Sequence, residues 1–185
     1  RFYRTVETWG DRHAAIRVGV ALPTGIAQRL PAALPAAVVA QLQPSSGAWS
    51  PTLDLTYGSA IRRFVYHLNA QQVLAVERGG RRPGHTTRAN LDLEYIFFPR
   101  HYKAPERELF GLLEITAVHS TALRSRGRAV AGTGGTVLLF APGLQYIASR
   151  RLLLEASYQF PVLSSANELQ LRSRSNLLLG LRWLF

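Results

Sequence analysis

The sequence predicts an all-β fold, an antiparallel up-and-down sheet that closes into a barrel. Two observations predict it. Apolar and polar residues alternate along nine segments, which is the period of a strand with two unlike faces. The connections between the segments also alternate in length: those around positions 10, 59, 102 and 149 are short, and those around 35, 77, 127 and 167 are long. Such a chain runs up and down between a turn end and a loop end.

The first four predicted strands lie on either side of a long connection. They are Arg1–Thr8, Ala14–Leu22, Trp49–Gly58 and Arg62–Asn69. In the second strand, large aliphatic residues occupy every second position from Ile16 to Leu22, and Pro23 ends it. The third and fourth strands alternate on either side of a tight turn at 58–60. Residues 26–48, rich in Ala, Pro and Gln, are predicted to form a surface loop, with a short amphipathic helix at Ala36–Leu42 as the alternative.

Five more strands follow, separated by turns and by loops rich in Gly and Arg. They are Thr87–Phe98, Glu108–Val118, Thr136–Tyr146, Leu152–Phe160 and Asn176–Phe185. In the first of these, leucines and aromatic residues alternate with Asn90, Asp92 and Glu94. Pro142 is expected near a strand end or a bulge, because proline cannot donate to the ladder. The last strand carries large apolar residues on one row and tolerates Arg182 on the other.

Three features favour a transmembrane barrel over a soluble β-sandwich or a lipocalin-like barrel. The apolar rows are nearly free of charge, and an Arg or Lys on a lipid-facing row would cost about 2–4 kcal/mol at mid-membrane. The chain stops on an aromatic residue, and aromatic residues mostly fall at strand ends on the apolar row. These residues are Trp49, Tyr57, Tyr66, Tyr95, Phe97, Tyr158, Phe160, Trp183 and Phe185. We therefore expect lipid outside the barrel, although alternation alone does not say which face meets water.

The composition bears on compartment and completeness. There is no Cys, which removes thiol chemistry and thiolate metal sites, and there is no Met at position 1. We expect the true N-terminus, including a signal peptide, to lie upstream of this sequence. Nine strands is an odd number, and single-chain bacterial barrels have even counts. The outer edge of the last strand is then either exposed or closed on Arg1–Thr8 in a smaller barrel.

The net charge is +11, and the basic residues other than Lys103 are all arginines. A pI near 11.1 usually indicates a nucleic-acid partner. Here the arginines are dispersed through loops and turns and singly within strands. Dispersed arginine favours contact with lipid phosphates, or an anion-tolerant lumen, over binding along a nucleic-acid backbone.

If the apolar rows face lipid, the polar rows line the lumen. The predicted pore-lining residues are Arg17, Asp54, Thr56, Arg63, His67, Arg88, Asn90, Asp92, Glu94, Glu114, Thr116, Glu155, Ser157, Gln159, Asn176 and Arg182. Both signs of charge are present. Two interpretations stay open: a polar channel whose charges filter solutes, or a narrow barrel plugged by interior salt bridges.

No catalytic or metal site is predicted. The five His residues show no pair at ligand spacing, and no cofactor motif is present. His119-Ser120 resembles the His and Ser used by membrane-barrel lipid hydrolases. The sequence places no third group beside them, and a nucleophile without an orienting base is not a site. We therefore favour two polar loop residues and predict that the protein is not an enzyme.

The last strand resembles the C-terminal recognition signal of bacterial outer-membrane proteins. The matching residues are Gly180, Trp183 and Phe185, while Leu178 replaces the polar residue usual two positions before the Gly. This resemblance implies handling by the barrel-assembly machinery. It also implies a bacterial outer-membrane location with the C-terminus in the periplasm, among lipids that include lipopolysaccharide.

Most of the chain resembles the meta-pathway phenol-degradation-like, or porin-like, family of outer-membrane barrels. Four motifs carry the resemblance: 18–25 (VGVALPTG), 42–49 (LQPSSGAW, with Ser45 for the usual Gly), 142–146 (PGLQY) and 158–162 (YQFPV). The resemblance implies about a dozen strands, so that roughly the first three precede this sequence. It also implies passage of small, often aromatic or hydrophobic, solutes.

The functional hypotheses follow from these patterns. The first is a porin-like channel for passive passage of small solutes. The second is a structural or adhesive barrel with a plugged lumen that acts through its external loops. The third, least favoured, is an outer-membrane lipid hydrolase. None requires a cofactor or nucleic acid, and the oligomeric state is left open.

Overall fold

The described part of the chain is built from antiparallel strands and their connections. The computed structural model describes residues 3–7, 10–25, 48–98, 107–165 and 174–184. Nine strands form the main sheet: β1 Tyr3–Glu7, β2 Gly10–Ala21, β3 Ser50–Ile61, β4 Phe64–Val73, β6 Thr86–Phe98, β7 Glu108–Ser120, β10 Gly135–Ser149, β11 Leu152–Ser164 and β12 Asn176–Trp183. Three two-residue strands form a second sheet: β5 Arg81–Arg82, β8 Arg124–Ser125 and β9 Arg128–Ala129.

The main sheet is a meander in which each strand pairs with its neighbours in the chain. The order is β1-β2-β3-β4-β6-β7-β10-β11-β12, and every pairing is antiparallel. The all-β antiparallel prediction and the nine strands are confirmed, with ends shifted by a few residues. The alternative helix at Ala36–Leu42 lies outside the described residues. Within the described ranges no helix is long and apolar enough to cross a membrane.

The main sheet is open at both sides. Among the described strands, β12 is hydrogen-bonded to β11 alone, and β1 to β2 alone. Pairing of the last strand with the first, one of the two outcomes expected for that edge, is therefore not found in the described structure. Within the described ranges, the two edges carry backbone groups without a neighbouring strand.

The register divides the strand residues between two faces. Directly paired residues of antiparallel strands point to the same side of a sheet. One face carries the row Thr56, Asn69, Asn90 and Thr116 across four strands, and we call it the polar face. The other carries the row Leu55, Ala70, Ala89 and Ala117, and we call it the apolar face.

Burial is inverted relative to a water-soluble sheet. Large aliphatic side chains of the apolar face are exposed, up to 78% for Val18 and 71% for Leu179. Among the described residues, the buried hydrophobic ones are only three alanines, whereas Asp54 and Thr116 of the polar face are less than one-tenth exposed. Soluble domains keep their large aliphatic residues inside and most carboxylates outside. Around Asp54 and Thr116 the polar face is thus the sheltered side of this sheet.

Pro142 departs from the sequence prediction. It was expected near a strand end or a bulge, but it lies inside the central strand β10, opposite Leu113 of β7. On the other side, pairing passes from Phe140–Phe160 to Gly143–Ser157 without partners between them. Proline, which lacks an N–H, falls where the ladder with β11 is interrupted.

Candidate functional site: the polar face

The predicted pore-lining residues share one face of the sheet. With the exception of Arg63, all lie on strands and on the polar face: Arg17 on β2, Asp54 and Thr56 on β3, His67 on β4, Arg88, Asn90, Asp92 and Glu94 on β6, Glu114 and Thr116 on β7, Glu155, Ser157 and Gln159 on β11, and Asn176 and Arg182 on β12. Arg63 lies in the turn between β3 and β4. Because the sheet is open, these residues form a continuous surface and not a closed ring.

One part of this face is a hydrogen-bond network around the carboxylate of Asp54. Asp54 is 8% exposed. Its Oδ1 accepts hydrogen bonds from Asn69 Nδ2 at 2.9 Å and from Thr56 Oγ1 at 3.2 Å. Its Oδ2 accepts one from Gln71 Nε2 at 3.3 Å. The three donors replace the water lost on burial, which is the condition for keeping a charge inside a protein.

Amide side chains extend this network across the sheet. Asn69 Nδ2 also lies 3.1 Å from Thr56 Oγ1, and Asn90 Nδ2 donates to Asn69 Oδ1 at 3.4 Å. The Oδ1 of Asn90 is buried and accepts no hydrogen bond from a described residue. A polar path therefore runs from β3 through β4 to β6, with one free acceptor at its end.

Beside this network, a row of five paired residues crosses five strands, and four of the five have titratable side chains. His13, Gly58, His67, Asp92 and Glu114 are successive partners on β2, β3, β4, β6 and β7. The rings of His13 and His67 are 5.5 Å apart between centroids. A Cβ at Gly58 would overlap both rings, so the absence of a side chain there lets them meet.

Two carboxylates stand side by side at the end of the row. Asp92 and Glu114 are direct cross-strand partners on β6 and β7. Glu114 Oε1 accepts a hydrogen bond from Thr116 Oγ1 at 3.1 Å. Glu94 lies two residues further along β6 on the same face. Like charges placed opposite each other repel, so a cation would be attracted to this part of the face.

The polar face is acidic although the chain is strongly basic. On β2–β12 it carries seven of the chain's eleven carboxylates: Asp11, Asp54, Asp92, Glu94, Glu108, Glu114 and Glu155. Within the same strands, β2–β12, three arginines lie on it: Arg17, Arg88 and Arg182. Adding Arg63 from the adjoining turn leaves an excess of acid. The folded chain therefore separates its charges, with acids on this face and most described arginines in loops and turns.

A cavity of about 390 Å³ opens at the turn end of the polar face. Glu108, Arg150, Arg151, Arg182 and several aliphatic side chains line it. Glu108 is 4% exposed, and its Oε1 is buried without a hydrogen-bond donor among the described residues. The cavity thus combines one sheltered carboxylate with three guanidinium groups.

Some residues of this face were missed from the sequence. They are Asp11, His13, Asn69, Gln71 and Glu108. The signal was the two-residue period: extending each polar row by up to three alternate positions would have included them. The predicted strand begins at Ala14, after a short connection around position 10, whereas β2 already begins at Gly10.

His119 and Ser120 point to opposite faces of β7. His119 Nδ1 lies 2.9 Å from Thr136 Oγ1 on the apolar face, whereas Ser120 Oγ lies 3.3 Å from Thr86 Oγ1 on the polar face. Successive strand residues diverge in this way. The geometry does not bring the two groups together as a nucleophile and its base.

The residues of the predicted assembly signal lie on different faces of β12. Gly180 is on the polar face, and an added Cβ would overlap the Glu155 side chain that covers it. Trp183 is on the apolar face and is 56% exposed. Phe185 lies outside the described residues.

Within the described part of the chain, no three His, Asp or Glu side chains cluster as metal ligands.

Comparisons with protein-family models, with curated proteins and with solved structures find no match. The class that the fold defines is therefore an all-β, antiparallel meander with one polar and one apolar face. The resemblance to porin-like outer-membrane barrels stays a prediction.

Proposed function

We propose that this chain supplies strands of a transmembrane β-barrel in a bacterial outer membrane and acts as a porin-like channel for small solutes. The polar face lines the lumen and the apolar face meets lipid. One observation carries the proposal: from β2 to β12, charge is almost confined to one face. On the apolar face of β2–β12 in the main sheet, Arg12, next to the β1–β2 turn, is the only Asp, Glu, Lys or Arg. A hydrocarbon solvent imposes this pattern.

The height of the apolar band supports the proposal. On β6 the band lies between Thr87 at its loop end and Phe97 at its turn end, which are about 33 Å apart along the strand at roughly 3.3 Å per residue. A tilt of about 40° reduces this to roughly 25 Å, the height of the apolar band of outer-membrane barrels. At the turn end, aromatic residues pack in pairs. The ring centroids of Tyr95 and Phe97 are 5.3 Å apart, and those of Tyr57 and Tyr66 are 6.0 Å apart. Such rings suit a membrane interface.

A polar row ends the band at the loop end. Gln72, Thr87, His119 and Thr136 are successive partners across four strands on the apolar face. Thr87 Oγ1 donates a hydrogen bond to Gln72 Oε1 at 2.6 Å, and His119 Nδ1 is hydrogen-bonded to Thr136 Oγ1. These polar groups mark the level at which hydrocarbon gives way to lipid headgroups.

Closure of the barrel is part of the proposal. The open edges of β1 and β12 would leave backbone groups unpaired in hydrocarbon, at several kcal/mol each. Additional strands pairing with these edges, to a total of about a dozen, would satisfy them.

The acid excess of the polar face gives the channel a preference for cations over anions, because fixed carboxylates concentrate counter-ions in a narrow pore. The amides and hydroxyls between them accommodate neutral solutes. The small aromatic or hydrophobic solutes implied by the family resemblance remain candidates.

Single-channel recording in planar bilayers tests this function. We expect stepwise conductance with a reversal potential that favours cations in a salt gradient. Arg182→Glu, on the lumen face, should increase the cation preference without loss of folding, whereas Arg150→Glu, in a turn, should change it less. Absence of conductance for ions, together with absence of solute flux in liposome swelling, would overturn the channel.

A plugged structural or adhesive barrel is the second candidate. The observation favouring it is the Asp54 network, which holds interior side chains in fixed hydrogen bonds. This candidate predicts a chain that inserts in membranes, resists unfolding and conducts nothing. It also predicts that Arg182→Glu only destabilises the protein.

A further inference from the structure

Two long loops of the sheet are joined into one body. They are residues 74–85, between β4 and β6, and residues 121–134, between β7 and β10. β5 of the first loop pairs with the β8–β9 hairpin of the second. Arg126 N donates to Gly80 O at 2.6 Å, and Thr121 N donates to His85 O at 2.9 Å. Backbone bonds thus hold the two loops in a defined relative position.

This body concentrates positive charge. Its six arginines, here called the arginine platform, are Arg78, Arg81, Arg82, Arg124, Arg126 and Arg128. Glu77 is the only acid in the two loops, so they carry a net charge of +5 out of +11 for the chain. Arg82 and Arg124 are direct cross-strand partners, an arrangement in which like charges repel. An anion bound between them would relieve the repulsion.

The hairpin places one arginine where the backbone does not favour it. Arg126 has φ of 48° and Gly127 has φ of 77°, as in the two central residues of a type I′ turn. Asn and Gly suit the first of these positions, and other residues there cost about 1–2 kcal/mol. Turn stability therefore does not account for arginine at this position, where the side chain is exposed.

The platform lies just beyond the polar row that ends the apolar face. Its loops leave the sheet at Val73, Thr86, Ser120 and Gly135, each within one residue of that row. In the proposed barrel this level is that of the lipid headgroups of the outer leaflet. The acidic lumen would repel a soluble polyanion that the platform attracted to the mouth of the barrel. A lipid headgroup is held in the membrane beside the platform and does not enter the lumen.

We propose that the arginine platform binds the phosphate groups of a phosphorylated glycolipid of the outer leaflet. Guanidinium groups form paired, charge-assisted hydrogen bonds with phosphate, and two opposed arginines match a multiply charged headgroup. The inference rests on the proposed barrel, because only the barrel brings the platform to headgroup level.

The test compares two double variants of the full chain folded in detergent micelles. Arg82→Gln/Arg124→Gln removes two platform charges, and Arg150→Gln/Arg151→Gln removes two charges at the opposite end of the sheet. Binding of a bis-phosphorylated lipid A, in mixed micelles, is measured by titration against its dephosphorylated form. We expect the platform variant to bind at least about tenfold more weakly than wild type, as lost charge-assisted bonds imply, and the control variant to bind normally.

Arg126→Asn serves as a second variant that keeps the turn. It should fold at least as stably as wild type and bind the lipid more weakly. Equal binding of the dephosphorylated lipid, or full binding by the platform variant, would overturn the proposal. Tripolyphosphate binding as tightly as the lipid would assign a soluble anion instead and overturn the lipid.

Bilayer conductance of the same samples keeps the two proposals apart. Conductance without lipid A binding would refute lipid binding by the arginine platform and leave the channel intact. Failure of the chain to insert into the bilayer would refute the transmembrane barrel.

Discussion

Two adjacent leucines on β7 allow a direct test of which face meets lipid. Leu112 lies on the polar face beside Glu94, and Leu113 lies on the apolar face beside Leu93. Both side chains are half-buried, and β7 is paired on both sides. Leu112→Arg and Leu113→Arg thus introduce the same charge one residue apart, on opposite faces.

The position of Leu113 sets the expected magnitude. It is four residues from Leu109 at the turn end and six from His119 in the polar row. At roughly 3.3 Å per residue and a tilt of about 40°, these separations are about 10 and 15 Å of height. Arginine at this depth should cost about 2–4 kcal/mol of folding free energy. Arginine at Leu112, beside a carboxylate, should change it by about 0.5 kcal/mol or less.

Reversible unfolding by guanidinium in lipid vesicles measures both values. A parallel sample without lipid or detergent is the control, and we expect no cooperative fold there. Equal costs for the two variants would refute the assignment of faces. A cooperative lipid-free fold, destabilised by Leu113→Arg alone, would show that the apolar face packs against protein and not against lipid.

Three further predictions concern single positions. Glu114→Gln should lower the cation-to-anion permeability ratio in a salt gradient, because it removes one charge of the acidic lumen. Asn69→Ala should cost about 1–3 kcal/mol in vesicle unfolding, since the sheltered carboxylate of Asp54 loses its shortest hydrogen bond. Gly111→Val should cost about 1–3 kcal/mol by overpacking, because a Cβ there overlaps the Phe97 ring.

Control variants distinguish the expected cause of each of these three effects from other causes. Glu77→Gln, in a loop, should change the permeability ratio less than Glu114→Gln, and an equal effect would argue against an acidic lumen. Asn69→Asp should destabilise more than Asn69→Ala, because it sets two carboxylates together. Gly111→Ala, which adds the Cβ alone, should cost less than Gly111→Val, and unchanged stability of both variants would contradict the overlap.

The sequence by itself determined the strands and the two faces. Side chains alternate along an extended backbone, so a row such as Leu91, Leu93 and Tyr95 shares one side wherever the strand is placed. The lengths of the connections, which can also be read from the sequence, distinguished the turn end of the sheet from its loop end. The predicted pore-lining residues therefore lie on one face, apart from Arg63 in its turn.

Which residues meet across the sheet was decided by the tertiary structure alone. Register depends on pairing between distant segments, and one strand's sequence does not specify its partner's offset. The donors to Asp54, the meeting of His13 with His67 and the opposition of Arg82 to Arg124 all follow from register. The separation of an acidic face from basic loops emerged in the same way, because charges dispersed along a chain become a surface only when its strands are aligned.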